Sequence, residues 1–338
     1  MAKNMNILIT TGIYPPKIGG PAQYSKELKS AFEKTGHVVR VSTFSVENYF
    51  PTGLRHLFFL FKIIPRVLFS DLVIIMDTFS VALPSIIASK LFGKKSVIRT
   101  GGDFLWEQYV ERTGKKVIFK DFYKTERVFF SQKDKIIFAL TKWTLNNASE
   151  VVFSTPLQRD IFISAYSMDH GKTLIIENFY GPKKSTEEPE GKVFIASSRN
   201  LVLKNVEVLK RVFIKIRVQY PEVQLFLDIL PSNLFLEKIK KSYAMIQISL
   251  SEISPNAILD SIQFNKPFIC TREVGIFHRI KDAGMFVDPL NEEEIERAIL
   301  SLLNEDEYKK ACDKVKQFSF IHTWEEIAEE FLEVFKTL

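Results

Sequence analysis

The chain has 338 residues, 46% hydrophobic and 25% charged, a balance that excludes a disordered or fibrous polymer and supplies enough length for two ordinary domains. Its formal charge of +6 admits nucleic acid, anionic lipid or phosphorylated small molecules as partners, but no zinc-finger spacing, RNP-type aromatic run or dense arginine helix accompanies it, which argues against nucleic acid. The two cysteines, Cys270 and Cys312, form no CxxC or other metal-type spacing, so neither a disulfide framework nor a zinc site is expected and a reducing cytosol fits.

In chain order, the apolar run from Asn6 to Thr11 reads as a first strand, and its Ile7 to Ile9 centre is too short for the core of an export signal. A helical pattern follows over Pro21 to Thr35, then a strand over Val38 to Thr43. The stretch Leu54 to Phe69, LRHLFFLFKIIPRVLF, predicts a mostly buried helix with Arg55, Lys62 and Arg66 on one narrow stripe. Its charges and Pro65 argue against a spanning helix. Two readings stay open: core packing with snorkelling basic ends, and an interfacial segment laid against anionic lipid. The βαβα rhythm continues through Leu72 to Met76, Val81 to Phe92, Ser96 to Arg99, a helix over Lys133 to Asn147, then Val151 to Ser154 and Thr173 to Ile176. Apolar strands separated by helical patterns predict an α/β fold with a parallel sheet covered on both faces.

From Tyr180 to Lys192 the composition turns to charge, proline and glycine, GPKKSTEEPEG, and reads as an interdomain linker. The rhythm then restarts with strands at Val193 to Ser197, Val223 to Leu227, Ala244 to Ser249 and Pro267 to Cys270, and a helix at Val206 to Val218. The predicted organisation is a first domain over 1–181, a linker over 182–191, a second α/β domain over 192–318 and a closing segment over 319–338. In that last segment Trp324, Ile327, Ala328, Phe331, Leu332 and Phe335 share one helical face and must pack against something.

Three loops carry the chemistry. In Glu252 to Asp260, EISPNAILD, Ser254 suits a helix N-cap and Pro255 a first helical position. A helix begun there aims free N–H groups and its positive dipole end at an anion, while Asn256 and Asp260, four apart, share a face. Acids beside a phosphate site suit sugar hydroxyls, although the segment alone also reads as a capped surface helix. The loop Arg199 to Asn205, RNLVLKN, follows the second domain's first strand, at the sheet edge where open α/β folds bind ligands. Its two cations, Arg199 and Lys204, suit a diphosphate, against the plainer reading of a solvated basic loop. In Gly12 to Pro21, Gly19 and Gly20 permit close backbone approach to a ligand. That spacing fits neither GxGxxG nor GxxxxGK[ST], which removes the usual support for hydride transfer and simple NTP hydrolysis.

Taken together and in this order, these elements resemble family 4 glycosyltransferases of the GT-B fold over nearly the whole chain. YPPKIGGPAQYSKELKSAFEKTGHVVRVST is similar to that family's glycine loop and following helix, Asn178 in IIEN resembles the asparagine closing its first domain, and SRNLVLKN resembles its arginine and lysine pair. The segment from Glu252 to Asp260 resembles the two-acid motif, and VGIFHRIKDAGMFVDPLNEEEI resembles the stretch that comes after that motif in the family. The resemblance implies two Rossmann-like domains facing each other across a cleft, and a retaining, metal-independent transfer of a sugar from a UDP-sugar or GDP-sugar. The acceptor it implies is a glycan or lipid-linked molecule, as in polysaccharide or glycolipid biosynthesis, with a cytoplasmic location, the inner face of the membrane included. Arg199 and Lys204 would hold the donor diphosphate, Glu252 the donor-sugar hydroxyls and Asp260 the ribose, with Ser254 and Asn256 on the donor side. Gly19 and Gly20 would bring the first domain's backbone to donor or acceptor, Asp103 would act in catalysis, with Asp103 or Glu107 touching acceptor or donor sugar against the plainer reading of Asp103 as a helix cap, and Tyr14 would lie toward the acceptor. The closing helix would pack back on the first domain.

Several departures from the family's pattern stand out. Asp260 replaces the usual glutamate, Ile253 to Asn256 replaces a glycine-rich stretch, and the family's first-domain histidine gives way to Arg99-Thr100-Gly101-Gly102-Asp103-Phe104-Leu105-Trp106-Glu107. Only 47 residues separate Lys204 from Glu252, so the second domain reads as reduced. That shortening motivates the alternative of a catalytically silent GT-B-like binding subunit supporting another transferase.

Overall fold

The computed structural model describes residues 4–17, 19–44, 46–196 and 201–338. The first half of the chain runs β1 (Asn6–Thr11), α1 (Gly20–Lys34), β2 (Val38–Thr43), α2 (Thr52–Leu68), β3 (Leu72–Ile75), α3 (Ala82–Leu91) and β4 (Lys95–Arg99). It continues with α4 (Phe104–Thr113), α5 (Phe119–Thr125), α6 (Gln132–Asn147), β5 (Glu150–Phe153), α7 (Pro156–Tyr166) and β6 (Thr173–Ile175). The second half runs β7 (Val193–Ala196), α8 (Val206–Gln219), β8 (Gln224–Phe226), α9 (Ser232–Lys240), β9 (Ala244–Gln247), α10 (Asn256–Gln263) and β10 (Phe268–Thr271). It closes with α11 (Phe277–Ile280), β11 (Met285–Val287), α12 (Glu292–Leu303), α13 (Glu305–Gln317) and α14 (Trp324–Thr337).

Two compact units result. Unit 1 comprises Met1–Leu105, Glu126–Phe179 and His322–Leu338, and unit 2 comprises Trp106–Thr125 and Tyr180–Ile321. In unit 1 a six-stranded parallel sheet has the order β2-β1-β3-β4-β5-β6. Its β3 is buried at every residue and β1 at all but the first, as expected of strands covered on both faces. Unit 2 holds a five-stranded parallel sheet, β11-β10-β9-β7-β8. In both sheets the first strand lies between the second and the third, so the direction in which successive strands are added reverses beside β1 and again beside β7. Open α/β sheets bind ligands at such a switch point, outside the carboxyl ends of the strands. The relevant loops are those after β1 and β3 in unit 1 and those after β7 and β9 in unit 2.

The closing helix α14 packs in unit 1, burying Ile327, Ala328, Phe331 and Val334 among Leu28, Phe32 and the sheet residues Ile7 and Ile74. Trp324 meets Tyr24 edge-on at 5.0 Å and stacks on Phe179 at 5.4 Å. A capping box starts the helix: the Thr323 hydroxyl accepts from the Glu326 N–H, and the Glu326 carboxylate accepts from the Thr323 N–H.

Three sequence expectations need correction. The segment Trp106–Thr125, read as part of the first domain, belongs to unit 2. Its aromatics form a small core, with Trp106 on Phe119 at 5.4 Å and Tyr109 on Phe122 at 5.3 Å, and its polar groups bond to the loops after β7, β9 and β10. The stretch read as a linker is fastened along unit 2: the Lys183 ammonium donates to the Ile262 and Val315 carbonyls at 2.9 and 2.6 Å, and the Lys184 N–H to the Gln263 carbonyl at 2.7 Å. These are carbonyls at the carboxyl ends of α10 and α13, which have no partner inside their own helices and draw cations.

The basic stripe of α2 also points inward. Lys62 pairs with Glu47 at 2.8 Å and donates to the Thr43 carbonyl, Arg66 donates to the Ser42 hydroxyl at 2.6 Å, and Arg55 lies 5.3 Å from the Phe44 ring centre. On the same inner side Phe59, Ile63 and Val67 are buried, while Leu54, Leu57, Phe58, Phe61, Leu68 and Phe69 are exposed. The outward face is therefore apolar. No helix among the described residues is long and apolar enough to cross a membrane.

Candidate functional site

The switch point of unit 2 brings two predicted residues into contact. After β7 the chain makes a 3-10 turn, Val202–Lys204, and then Asn205 adopts the left-handed conformation (φ 56°, ψ 26°) before α8 begins. Asparagine tolerates that conformation better than most residues because its short polar side chain bonds locally. Here the buried Asn205 amide donates to the Pro289 carbonyl at 2.6 Å. The Leu250 N–H donates to the Leu203 carbonyl at 2.8 Å and so ties this turn to the loop after β9. In that loop Glu252 is fixed by its backbone, its N–H donating to the Glu273 carbonyl at 2.9 Å and its carbonyl accepting from Gly275 at 2.8 Å.

Between the two loops the Lys204 ammonium and a Glu252 carboxylate oxygen meet at 2.5 Å, and the Gln247 amide donates to the same oxygen at 2.6 Å. Both charged side chains are nearly enclosed, 10% and 12% exposed. Burial pushes the Glu252 carboxyl up, but the Lys204 charge and the hydrogen bonds it receives outweigh that and hold it below the usual glutamate value. It is ionised at neutral pH. Two enclosed polar atoms, Gln247 Oε1 beside the pair and Ser254 Oγ in the loop after Glu252, have no hydrogen-bond partner among the described residues. Unpaired buried groups each cost about 1–3 kcal/mol, so a hydroxyl-bearing ligand would relieve them.

The helix after Glu252 begins one residue later than its sequence suggests. Pro255, extended at ψ 108°, is the N-cap, and its carbonyl accepts from Ile258 and Leu259, while no side chain caps the helix. Ser254 is thus outside the helix, and its hydroxyl makes no capping hydrogen bond. Asn256, first in α10, is exposed, whereas Asp260, one turn on, is half-buried. Burial raises the Asp260 carboxyl to about 6, with the Lys184 charge opposing the shift.

The other predicted residues are distributed as follows. Arg199 lies outside the described residues. In unit 1, Gly19 is extended and ends the loop after β1, where an added Cβ would approach Ile13 Cδ1 to 2.7 Å; Gly20 opens α1 with free space around it. Tyr14 is half-buried in the same loop. Asp103, 3% exposed, immediately precedes α4 in the position from which aspartate caps helices. Glu107 is half-buried in the first turn of α4 and belongs to unit 2. Among the described residues, no group of three or more His, Cys, Asp or Glu side chains could hold a metal ion.

Sequence reasoning missed Asp77, at the carboxyl end of β3. Its carboxylate accepts from the N–H groups of Phe79, Val81 and Ala82 at 3.0–3.1 Å, so it starts α3 and keeps the unit 1 switch point ordered. An acid directly after an apolar strand was the available signal. Asn178 also acts locally, its side-chain oxygen accepting from Arg99 at 2.5 Å, and Arg99 lies 3.9 Å from the Tyr24 ring centre.

No protein-family model matches the chain, and no curated protein matches it by sequence. Solved structures match it in fold. HepE from Anabaena, in complex with UDP and glucose, superposes with a TM-score of 0.71 at 14% identity, over 99% of this chain and 100% of that one. Sucrose-phosphate synthase from Thermosynechococcus elongatus gives 0.72 at 13% identity over 99% of each chain. The lipopolysaccharide outer core galactosyltransferase WaaB gives 0.62 at 14% identity over 99% of this chain and 100% of that one. At such identities the likeness is one of architecture: the chain has the α/β fold with two parallel sheets of GT-B glycosyltransferases.

Proposed function

We propose that this protein is a nucleotide-sugar-dependent glycosyltransferase, and that unit 2 holds the donor. The observation that carries the reading is the enclosed Lys204 and Glu252 pair at the switch point, a cation and an acid 2.5 Å apart where a parallel sheet receives ligands. A diphosphate offers Lys204 a stronger partner than a single carboxylate does, and its arrival frees Glu252 to accept hydrogen bonds from donor-sugar hydroxyls. As the sugar leaves, charge develops on the diphosphate. Lys204, together with Arg199 as the sequence resemblance has it, would stabilise that charge. Asp260 would accept from the ribose. Retention of configuration, with attack on the leaving-group face, and independence from metal belong to the same reading, as does a hexose donor of the UDP or GDP type.

A panel of UDP-sugars and GDP-sugars, screened by thermal shift with and without magnesium, tests this. Ligand at 100 times its Kd stabilises a single-site protein by about 2.7 kcal/mol. One donor class is expected to raise the melting temperature equally with and without the metal, and to be hydrolysed or transferred slowly. Binding without turnover favours the silent-subunit alternative; no binding by any nucleotide sugar defeats the donor assignment.

The acceptor reading rests on the outer face of unit 1. There α2 packs on α3 and α3 on α6, and Phe58 and Phe61 of α2, Phe69 just after it, Ile87 and Leu91 of α3, and Ile136 and Trp143 of α6 are exposed. The only acid in the three helices is Asp134, enclosed in a capping box, whereas Lys90, Lys133, Lys135 and Lys142 are exposed. Apolar anchors among lysines suit an anionic bilayer bearing a lipid-linked acceptor. Co-sedimentation with vesicles containing phosphatidylglycerol is expected to fall at least tenfold in Phe58→Ser/Phe61→Ser, since each exposed ring contributes about 1.5–3 kcal/mol on burial. Replacement of the inward-facing Lys62 and Arg66 is expected to matter less, and unchanged sedimentation of the phenylalanine variant would remove the membrane.

A further inference from the structure

The segment Trp106–Thr125 touches the loops of the Lys204 and Glu252 pair at four points that the donor reading leaves unused. Glu111, on α4, accepts from the N–H groups of Val202 at 3.1 Å and Leu203 at 3.0 Å, one to each carboxylate oxygen. The Lys116 ammonium donates to the Asn205 side-chain oxygen at 3.0 Å. The Phe119 N–H donates to the hydroxyl of Ser251, the residue before Glu252, at 2.9 Å. Lys120 pairs at 2.6 Å with Glu273, whose carbonyl receives the Glu252 N–H.

The first N–H groups of a helical turn have no partner within the turn, and a carboxylate is among the strongest acceptors they can find. Bonded through both oxygens, Glu111 fixes where the Val202–Lys204 turn begins, and Lys116 fixes Asn205, where it ends. The lysine ammonium itself has little directionality and sits on a flexible stem. Its placement is therefore set by its backbone. A loose turn would spread the ammonium over several positions, and a diphosphate would have to bear the cost of ordering it.

We propose that Glu111 is a positioning residue for the diphosphate end of the donor, acting through the Val202–Lys204 turn, with Lys116 supporting the far end of that turn. The proposal rests on the reading of Lys204 as the donor's cation. Thermal-shift titrations with UDP and with uridine, and with GDP and guanosine, separate a phosphate-end effect from general damage. Glu111→Ala is expected to weaken the nucleoside diphosphate about tenfold and leave the nucleoside unchanged. Glu111→Gln keeps one acceptor oxygen and is expected to fall between; it also serves should the alanine variant fail to fold. Lys116→Met is expected to show a smaller loss of the same kind. Unchanged diphosphate binding in the Glu111 variants overturns the proposal, as does an equal loss for nucleoside and diphosphate. A wild-type chain that binds neither diphosphate defeats the donor reading, and this proposal with it.

Discussion

Lys204→Ala is expected to lower the stability of unit 2 by about 3–5 kcal/mol at neutral pH and to remove donor binding. The first effect follows from burial: Glu252, 12% exposed, would be left as an uncompensated charge, and breaking an enclosed pair from one side costs that much. The pH dependence has a definite sign. With Lys204 present the Glu252 carboxyl lies below its usual value, so the pair's contribution is present above the unfolded glutamate value and lost as pH falls through the folded one. Without Lys204 the burial effect is opposed by little more than the hydrogen bond from Gln247, the carboxyl rises, and protonation in acid relieves it. The deficit of the variant is therefore expected to shrink toward acid. Glu252→Gln leaves a buried ammonium and is expected to cost somewhat less, because lysine carries its charge on a long stem. The double variant Lys204→Ala/Glu252→Gln is expected to recover at least 2 kcal/mol relative to the sum of the single losses, since neither charge is left behind. Denaturant unfolding of the four proteins at pH 5 and 8 gives the cycle. Additive losses, or a deficit that does not change with pH, would mean that the pair is not coupled in the folded protein.

Asp260 is expected to set an opposition between stability and donor binding. Its carboxyl is raised by burial from 3.8 to about 6, so the fold favours the protonated form. The stability it contributes is fully present below the unfolded value and is lost as pH rises through about 6. At about 1.4 kcal/mol per unit, the aspartate costs the folded state about 2–3 kcal/mol at pH 8. Asp260→Asn removes the ionisation and is expected to raise stability by about 2 kcal/mol at pH 8, with little gain at pH 4. In binding, the order reverses. A ribose hydroxyl is held best by the ionised acid, so wild-type affinity for the nucleotide is expected to weaken as pH falls through about 6, while the asparagine variant binds more weakly and with a flatter pH profile. Thermal unfolding and nucleotide titration between pH 5 and 8 read both halves. A variant that is no more stable at pH 8, or a wild-type affinity that is flat across that interval, contradicts this role for Asp260.

The elements that position these residues were legible where an apolar run is buried on both faces. Asn6 to Thr11 has the limits that its composition predicts, because a covered parallel strand accommodates such a run, while Val38 to Thr43, partly exposed at the sheet edge, was marked by its β-branched residues. The strand-end positions of Lys204 and Glu252 were legible for the same reason. Their contact was not, since it depends on β7 and β9 being neighbours, and sheet order is set by packing between distant elements. The same holds for Trp106–Thr125: its helices read as ordinary pieces of the first half of the chain, and only the bonds of Glu111, Lys116 and Phe119 show where it belongs. For α2, periodicity gave a basic stripe and an apolar remainder but not which one faces the sheet. Glu47 and the carbonyl of Thr43 decide that, by offering partners to Lys62. Around Pro255 the cap shifted by one residue because the proline, held extended, supplies its own carbonyl to the first helical bonds. Arg199 falls outside the described residues, so its part in the cation pair rests on the sequence.

A crystal structure of the protein with the nucleotide sugar that binds best addresses the central claim most directly. The account predicts a diphosphate oxygen within hydrogen-bond reach of Lys204 Nζ, about 2.7–3.2 Å, with Glu252 turned from the ammonium to the hydroxyls of the sugar. A ligand bound elsewhere, with the Lys204 and Glu252 pair intact and untouched, would contradict it.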